Sequence, residues 1–182
     1  MKPRGSLMIE HRLIEKVLLL IKEEIEHIDE KGTLDHFFVQ SVIDFIRTYA
    51  DRTHHGKEED ILFEQLKTKT MNPSDSAMMA DLIEEHKTAR LVVSELMQSE
   101  AGFIDGDKAQ LSVIKEKLTF LMNFYPNHIA KEDKLFFPNT ERYFTAGELA
   151  KMQDDFRAFD RNMIHEKYNK LYESLSNIMS KR

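Results

Sequence analysis

Apolar residues recur every three or four positions along four long stretches of this chain, and this spacing permits few structures other than helices. The first stretch is the clearest, because its apolar stripe runs with His11 among its members: Leu7, Ile14, Leu18, Ile21, Ile25 and Ile28. Residues at this spacing lie on one face of an α-helix, and no stretch shows the alternation typical of a half-buried strand. The sequence therefore predicts an all-α protein.

Turn-forming residues divide the chain into five segments. The breaks fall at Gly32-Thr33, at Asn72-Pro73-Ser74, between Gly102 and Gly106, and between Pro138 and Gly147. Four amphipathic helices with short connections predict an up-and-down four-helix bundle over about residues 6–140. An additional C-terminal helix, over about residues 146–180, is expected to pack outside the bundle or against the second subunit of a homodimer. No linker is rich enough in Gly, Pro or Ser to separate a second domain, so residues 1–182 are expected to form one domain.

Local signals refine these boundaries. Ser74 and Thr145 are candidate N-caps, and Thr145 has capping-box spacing to Glu148. Pro126 lies inside the fourth helical pattern, where a proline removes a backbone hydrogen bond. We therefore expect a kink or a local break just before His128.

The composition limits the classes of function. The chain has 182 residues, of which 41% are hydrophobic and 32% are charged, which is enough for a buried core. A net charge of −6 argues against nucleic acid as a partner. The longest apolar run, residues 17–21, cannot span a membrane, and the N-terminus lacks the apolar core of an export signal. We therefore expect a cytoplasmic protein with no membrane partner.

Polar residues interrupt the apolar stripes on the faces that should be buried. They are His11, His54, Glu58, His86, Arg90, His128 and Glu132. A buried charge is costly unless it is paired or bound to a metal. A lone core histidine is most often satisfied by a carbonyl, but four of them on four helices, together with two glutamates, favour a metal site. The chain has no cysteine, so its metal ligands must be nitrogen and oxygen atoms.

One ten-residue segment occurs twice. Residues 54–63 and 128–137 share a histidine, a lysine, a glutamate, a second acid and then apolar positions at the same offsets. The spacing His-x-x-x-Glu presents an imidazole and a carboxylate from adjacent turns of one helix face. Two such half-sites predict a metal centre in which a carboxylate can bridge two ions. Mixed imidazole and carboxylate ligands suit iron, manganese or zinc, and iron is preferred because open sites of this kind suit oxygen chemistry.

Together these motifs resemble the hemerythrin-like, HHE cation-binding family over about residues 6–140. The matching elements are Glu10-His11, His54-x-x-x-Glu58-Glu59 with Leu62-Phe63, Glu85-His86-x-x-x-Arg90, and His128-x-x-x-Glu132-Asp133 with Phe136-Phe137-Pro138. The resemblance implies a non-haem centre of two iron ions inside a helical bundle. It implies as metal ligands His11, His54, His86 and His128, with Glu58 and Glu132 as bridges. The oxygen-carrying members of the family bind dioxygen reversibly.

Arg90 departs from the oxygen-carrying pattern. Those members have a second histidine one turn after the third-helix ligand, whereas many bacterial members have arginine there. The change leaves the site one nitrogen short, so a coordination position is open to water, dioxygen or nitric oxide, or else His165 of the C-terminal helix supplies the nitrogen. The alternative for His165 is a surface or packing role beside Tyr168. Arg90 itself is expected to pair with Glu58 or Glu132, or to extend out of the bundle.

Two further residues are interpreted from their places on the helices. Tyr125, one turn before His128, either donates a hydrogen bond to a bound ligand or coordinates metal, or is a core aromatic residue with a satisfied hydroxyl. His55 lies about 100° round the helix from His54, so we expect it to be exposed.

Three functions remain open at this point. The first is a metal-binding protein that takes up dioxygen, nitric oxide or peroxide for sensing, storage or protection. A variant of this first function is donation of iron for cluster repair. The second is a di-iron enzyme that reduces peroxide or nitric oxide or oxidises ferrous iron. The third is a metal-free helical interaction module, which would leave buried His and Glu side chains without partners. The first is preferred over an enzyme.

Overall fold

The computed structural model describes residues 2–179, with side chains described for residues 2–163. Every regular element in the described part of the chain is helical, which confirms the predicted all-α class. The elements are α1 (Pro3–Lys31), α2 (His36–Phe45), π1 (Ile46–His55), π2 (Glu58–Phe63), α3 (Glu64–Lys67), α4 (Pro73–Ile104), α5 (Gln110–Lys131), π3 (Glu132–Phe136), α6 (Phe137–Thr140), a 3-10 turn (Glu141–Tyr143) and α7 (Ala146–Met179). They form five long helical segments, because α2 to α3 run on continuously and so do α5 to α6.

The first two breaks lie where the sequence predicts them. α1 ends at Gly32, whose φ of 65° is left-handed and whose N–H donates to the Ile28 carbonyl at 2.9 Å. α4 begins at Pro73, so its cap is the residue before the proline. That residue is Asn72, whose side chain accepts the N–H of Asp75 at 2.8 Å. The prediction of Ser74 as the cap is therefore wrong, and its hydroxyl donates to the Asn72 side chain instead.

In the second half of the chain, the predicted helix cap is present, and the helix is not interrupted at Pro126 or at Pro138. The Thr145–Glu148 capping box is confirmed, because the Glu148 N–H donates to Thr145 Oγ1 at 3.2 Å and the Thr145 N–H donates to Glu148 Oε2 at 2.7 Å. α5 continues through Pro126, so no break precedes His128. Pro138 lies in α6, directly after π3, and the helical segment continues past it to Thr140.

The buried apolar residues form two clusters, one on each side of a polar layer. The larger cluster joins α1, α2, π1, α4 and α5, and the smaller one includes Leu7, Phe63, Leu82, Phe136 and Phe156. In α1 and α4 the polar residues lie between the two clusters: His11 follows Leu7 and precedes Ile14, and His86 follows Leu82 and precedes Ala89. This arrangement places charged side chains in the middle of the protein with apolar residues above and below.

The C-terminal helix contacts the rest of the chain through α1, π1 and π2. Its Phe156 belongs to the smaller core cluster. Gly56 permits a close approach nearby, because a Cβ at that position would lie 2.7 Å from the Phe159 ring. α7 therefore packs on the helices of its own chain, whereas the homodimer remains a prediction. No helix in the described residues is both long enough and apolar enough to cross a membrane.

Candidate metal centre

The structure brings the six predicted histidines and glutamates together in the polar layer. The histidines lie on four different helical segments, and all six side chains are 2% exposed or less: His11, His54, Glu58, His86, His128 and Glu132. Glu58 begins π2 and Glu132 begins π3, each one turn after the histidine of its repeat. π-helical turns are rare and are often found at functional sites.

The polar layer has two halves: one contains His11 and His54, and the other contains His86 and His128. Each central carboxylate lies close to one histidine of each half. Glu58 lies 3.5 Å from His54 Nε2 through Oε1 and 3.4 Å from His86 Nε2 through Oε2. Glu132 lies 3.1 Å from His11 Nε2 through Oε2 and 3.3 Å from His128 Nε2 through Oε1. Two carboxylates that each span two histidine pairs have the arrangement needed to bridge two ions.

One histidine pair is close enough to share an ion. The Nε2 atoms of His11 and His54 are 2.8 Å apart. Ligand nitrogens ~2.1 Å from an ion and at right angles to each other are separated by roughly 3 Å. His11, His54, Glu58 and Glu132 also offer ligand atoms that all lie within 4.8 Å of one another. This half of the layer therefore has the dimensions of a metal site.

Each of the four histidines is hydrogen-bonded through Nδ1 to an acid at the edge of the layer, so its Nε2 atom points inward. We call these four acids the outer ring. The Nδ1–H of His54 donates to Glu10 at 2.8 Å, and that of His11 donates to Asp133 at 2.7 Å. In the other half, Nδ1 of His128 pairs with Glu85 at 2.8 Å and Nδ1 of His86 with Glu59 at 2.6 Å. A carboxylate on Nδ1 fixes the tautomer that leaves the Nε2 lone pair free for a metal.

Two lysines at equivalent positions of the ten-residue repeat form ion pairs with acids of this outer ring. Lys57 is ion-paired with Glu10 and with Asp160 of α7, and its side chain is fully buried. Lys131, its counterpart in the second repeat, pairs with Glu85 and is partly exposed. The lysine shared by the two repeats therefore supports the acid that orients the histidine of the same repeat, and Lys57 also connects the site to α7.

The acids and the burial together set the protonation of the layer. Burial alone would lower the pKa of His11, but the hydrogen bond to Asp133 and the negative charge of Glu132 outweigh it and raise the pKa to about 9. Burial dominates at His54 and lowers its pKa to about 4. Burial, together with the charge of Glu132, raises the pKa of Glu58 well above its ordinary value. The pKa of Glu132 is lowered instead, so without cations these shifts favour a proton on Glu58 rather than on Glu132.

The atoms at the centre of the layer lack hydrogen-bond partners among the described residues. This observation tests directly whether the residues suit a metal. Both oxygens of Glu58, both oxygens of Glu132, and the Nε2 atoms of His86 and His128 are buried without a hydrogen bond from any described residue. A buried polar atom without a partner costs about 1–3 kcal/mol. All six atoms are nitrogen or oxygen donors that point to one centre, so the residues fit divalent cations.

Comparison with known families agrees with this geometry. The family described as the hemerythrin HHE cation binding domain matches residues 3–140. The chain belongs to this hemerythrin family. Searches of curated proteins and of solved structures returned no significant match. The family and the His and Glu clusters agree that this hemerythrin domain is a cation-binding one.

His55 is buried, so the prediction that it is exposed is wrong. The side chain is 1% exposed, not solvated, and it stacks on His86 with ring centroids 3.8 Å apart. The buried face of a bundle helix is wide enough to include two adjacent positions. One signal was available in the hemerythrin repeat itself, because the position that aligns with His55 is the apolar Ile129, which is also buried.

Arg90 does not make the predicted pairing with Glu58 or Glu132, and its partly exposed side chain is closer to the alternative that it extends out of the bundle. It pairs with Asp51 at 2.7 Å through Nε and with Glu59 at 2.7 Å through a terminal nitrogen, not with Glu58 or Glu132. The side chain is partly exposed, so its guanidinium lies at the rim of the layer. Because Glu59 also accepts the hydrogen bond from His86, Arg90 holds the acid that orients this histidine.

Tyr125 lies beside His55 and His128. Its hydroxyl is buried and has no hydrogen-bond partner among the described residues. It lines a cleft of about 240 Å³ together with Asp51, His55 and Arg90. The cleft therefore lies beside the polar layer, on the side of His55. The side chain of His165 lies outside the described residues, so its proposed role stays a prediction.

Proposed function

We propose that this protein binds two iron ions at the centre of an up-and-down four-helix bundle and uses them to bind dioxygen or a related small molecule, such as nitric oxide or peroxide. The observation that carries the proposal is that Glu58 and Glu132 each contact histidines of both halves. A single ion would not need carboxylates that span two histidine pairs. In this proposal α1, the α2–α3 segment, α4 and the α5–α6 segment form the bundle, and α7 covers one side of it.

The side chains divide the work of holding the ions. His11 and His54 would hold one ion, His86 and His128 the other, and the two glutamates would connect them. The outer acids keep each Nδ1 protonated and each Nε2 directed inward. The apolar clusters above and below exclude bulk water, which strengthens these interactions.

Iron is proposed over manganese and zinc because a pair of ferrous ions supplies the electrons that binding of dioxygen requires. The cleft beside Tyr125 and His55 supports access by a small molecule. Tyr125, whose hydroxyl is buried without a partner among the described residues, would donate a hydrogen bond to the bound molecule. Sensing, storage and protection are all roles that such a site supports.

The first test is the metal content per chain, measured by plasma mass spectrometry after anaerobic loading with ferrous iron and desalting. We expect close to two irons in the wild type and a clear loss in the His54→Ala and Glu132→Ala variants. His36→Ala is the matched control, because that histidine is exposed. A well-folded wild type that retains one ion or none would overturn the di-iron proposal.

A second measurement separates binding from turnover. The loaded ferrous protein is exposed to dioxygen, nitric oxide or peroxide, and its absorption spectrum is recorded over repeated cycles of gas exchange. Reversible spectral change supports a binding protein. Rapid catalytic consumption of the added molecule, or of added ferrous iron, would show instead that the centre is an enzyme.

A further inference from the structure

We propose that α7 responds to the metal centre. It packs tightly on the bundle when the ion beside His54 is bound, and it opens more often when that ion is absent. The proposal rests on the proposed two-ion site and adds a response to it. It starts from Gly56 and Lys57, which lie between the ligands His54 and Glu58 on one helical segment. Contacts of α7 with these two residues therefore fall on the backbone that connects both ligands.

Polar contacts join the imidazole of His54 to α7. Nδ1 of His54 pairs with Glu10 Oε2 at 2.8 Å, and the other oxygen of Glu10 pairs with Lys57. Lys57 Nζ also donates to Asp160 Oδ1 of α7 at 2.7 Å. Because the Lys57 side chain is fully buried, loss of Asp160 would leave a buried charge with one acid instead of two. Movement of α7 would therefore disturb the pair that orients His54.

Aromatic contacts join the same two residues to α7. A Cβ on Gly56 would lie 2.7 Å from the Phe159 ring, so this ring rests directly on the backbone between the ligands. Lys57 Nζ lies 5.8 Å from the centroid of the Phe156 ring, which is buried in the smaller core cluster. Phe156, Phe159 and Asp160 have the spacing of one helix face. This face of α7 therefore fits the shape of the ligand segment closely.

The internal repeat shows that the arrangement is one-sided. The second repeat carries Ala130 and Lys131 where the first carries Gly56 and Lys57. Lys131 is partly exposed and pairs with Glu85, whereas Lys57 is fully buried against α7. The response therefore belongs to the ion in the half of the layer that contains His54.

Coordination would fix the segment on which α7 packs. An ion bound to His54 and Glu58 restrains the residues between them, so less conformational entropy is lost when α7 packs there. Such coupling is reciprocal: the factor by which the ion favours docked α7 is the factor by which docked α7 raises the affinity for the ion. Opening of α7 would expose Met152 and Phe156, which are buried when it is docked. Occupancy of a buried site would thus change the protein surface.

The first test is hydrogen exchange of the full chain, followed by mass spectrometry, in chelator and in excess ferrous iron without oxygen. We expect iron to slow exchange in residues 150–160 by about tenfold or more. Asp160→Asn should lose most of this slowing, while α4, which carries His86, keeps its own. Asp154→Asn is the matched control, because Asp154 is an exposed residue of the same helix and pairs with Arg157.

The second test measures iron affinity by competition with a chelator. Phe156→Ala and Asp160→Asn change no proposed ligand, yet each should weaken the binding of one ion by about fivefold or more. Asp154→Asn should leave both affinities unchanged. Circular dichroism establishes whether Phe156→Ala folds. Asp160→Asn keeps the test decisive in either case, because it removes only a charge from a partly exposed side chain.

The outcomes separate this proposal from the proposed function. A wild type that binds two irons with unchanged exchange in α7 would overturn the coupling and leave the two-ion site intact. Equal slowing of α7 in Asp160→Asn and in the wild type would also overturn it, because the slowing would then reflect general stabilisation. Unchanged iron affinity in folded variants has the same meaning. A wild type that binds no iron would overturn the two-ion site and the coupling together.

Discussion

Replacing Glu58 by methionine should change the free energy of unfolding in opposite directions with and without metal. In the metal-free protein both Glu58 oxygens are buried without a hydrogen bond from the described residues. Methionine has a similar length and no side-chain oxygens, so its substitution removes that cost. We expect the metal-free Glu58→Met variant to be more stable than the wild type by about 1–3 kcal/mol.

Metal reverses the sign. Glu58 contacts a histidine of each half, so its loss weakens the binding of both ions. A 100-fold loss of affinity for one ion removes about 2.7 kcal/mol of stabilisation under conditions that saturate the wild type, and two ions remove about 5 kcal/mol. This loss exceeds the gain in the metal-free protein, so the loaded wild type should be the more stable of the two.

Urea unfolding followed by circular dichroism, in chelator and in excess ferrous iron under anaerobic conditions, measures both values. Glu23→Met is the matched control, because Glu23 is an exposed residue of α1 and its loss should shift neither curve in a metal-dependent way. If metal stabilises Glu58→Met as much as the wild type, Glu58 is not a ligand. If the metal-free variant is less stable than the wild type, the account of the unpaired carboxylate is wrong.

Three further predictions follow from the outer ring and from α7. Glu10→Gln and Glu85→Gln should each weaken iron binding about 10–100-fold in chelator competition while leaving the fold intact, and unchanged affinities would show that the outer acids do not tune the histidines. Lys57→Met should cost about 3 kcal/mol in urea unfolding, because it leaves acids without their buried partner, whereas the partly exposed Lys131→Met should cost less than about 1 kcal/mol; equal costs would contradict this account. Contacts with Lys69 and the cap lower the pKa of Glu148 from 4.5 to about 2. The wild type should therefore be more stable than Glu148→Gln above pH 4.5, and this difference in the free energy of unfolding should disappear as the pH falls towards 2. A difference that stays constant with pH would exclude the charge of Glu148 as its source.

The six central residues were predictable because their signal is local. His54 with Glu58 and His128 with Glu132 recur at one spacing, and each lies on a stripe that is otherwise apolar. Helical periodicity assigns such residues to the buried face, and burial of ionisable groups indicates coordination. The all-α class, the site and the family resemblance all came from this one kind of pattern.

The outer ring was not predictable, because its pairs join residues distant in sequence. Glu10 is adjacent to His11 but orients His54, and Glu85 is adjacent to His86 but orients His128. Which acid meets which histidine depends on how the helices are rotated against one another. Periodicity gives the face of a single helix and carries no information about its neighbour.

For this protein the sequence by itself determined the helical class, the six residues that converge and the kind of ion they suit, because each depends on spacing within one helix. Tertiary structure alone decided that His55 is buried against His86 and that Arg90 pairs with acids at the rim. It also decided that Lys57 joins the site to α7 through Asp160. These contacts arise between helices, where packing fixes distances and orientations that a single-helix pattern does not contain.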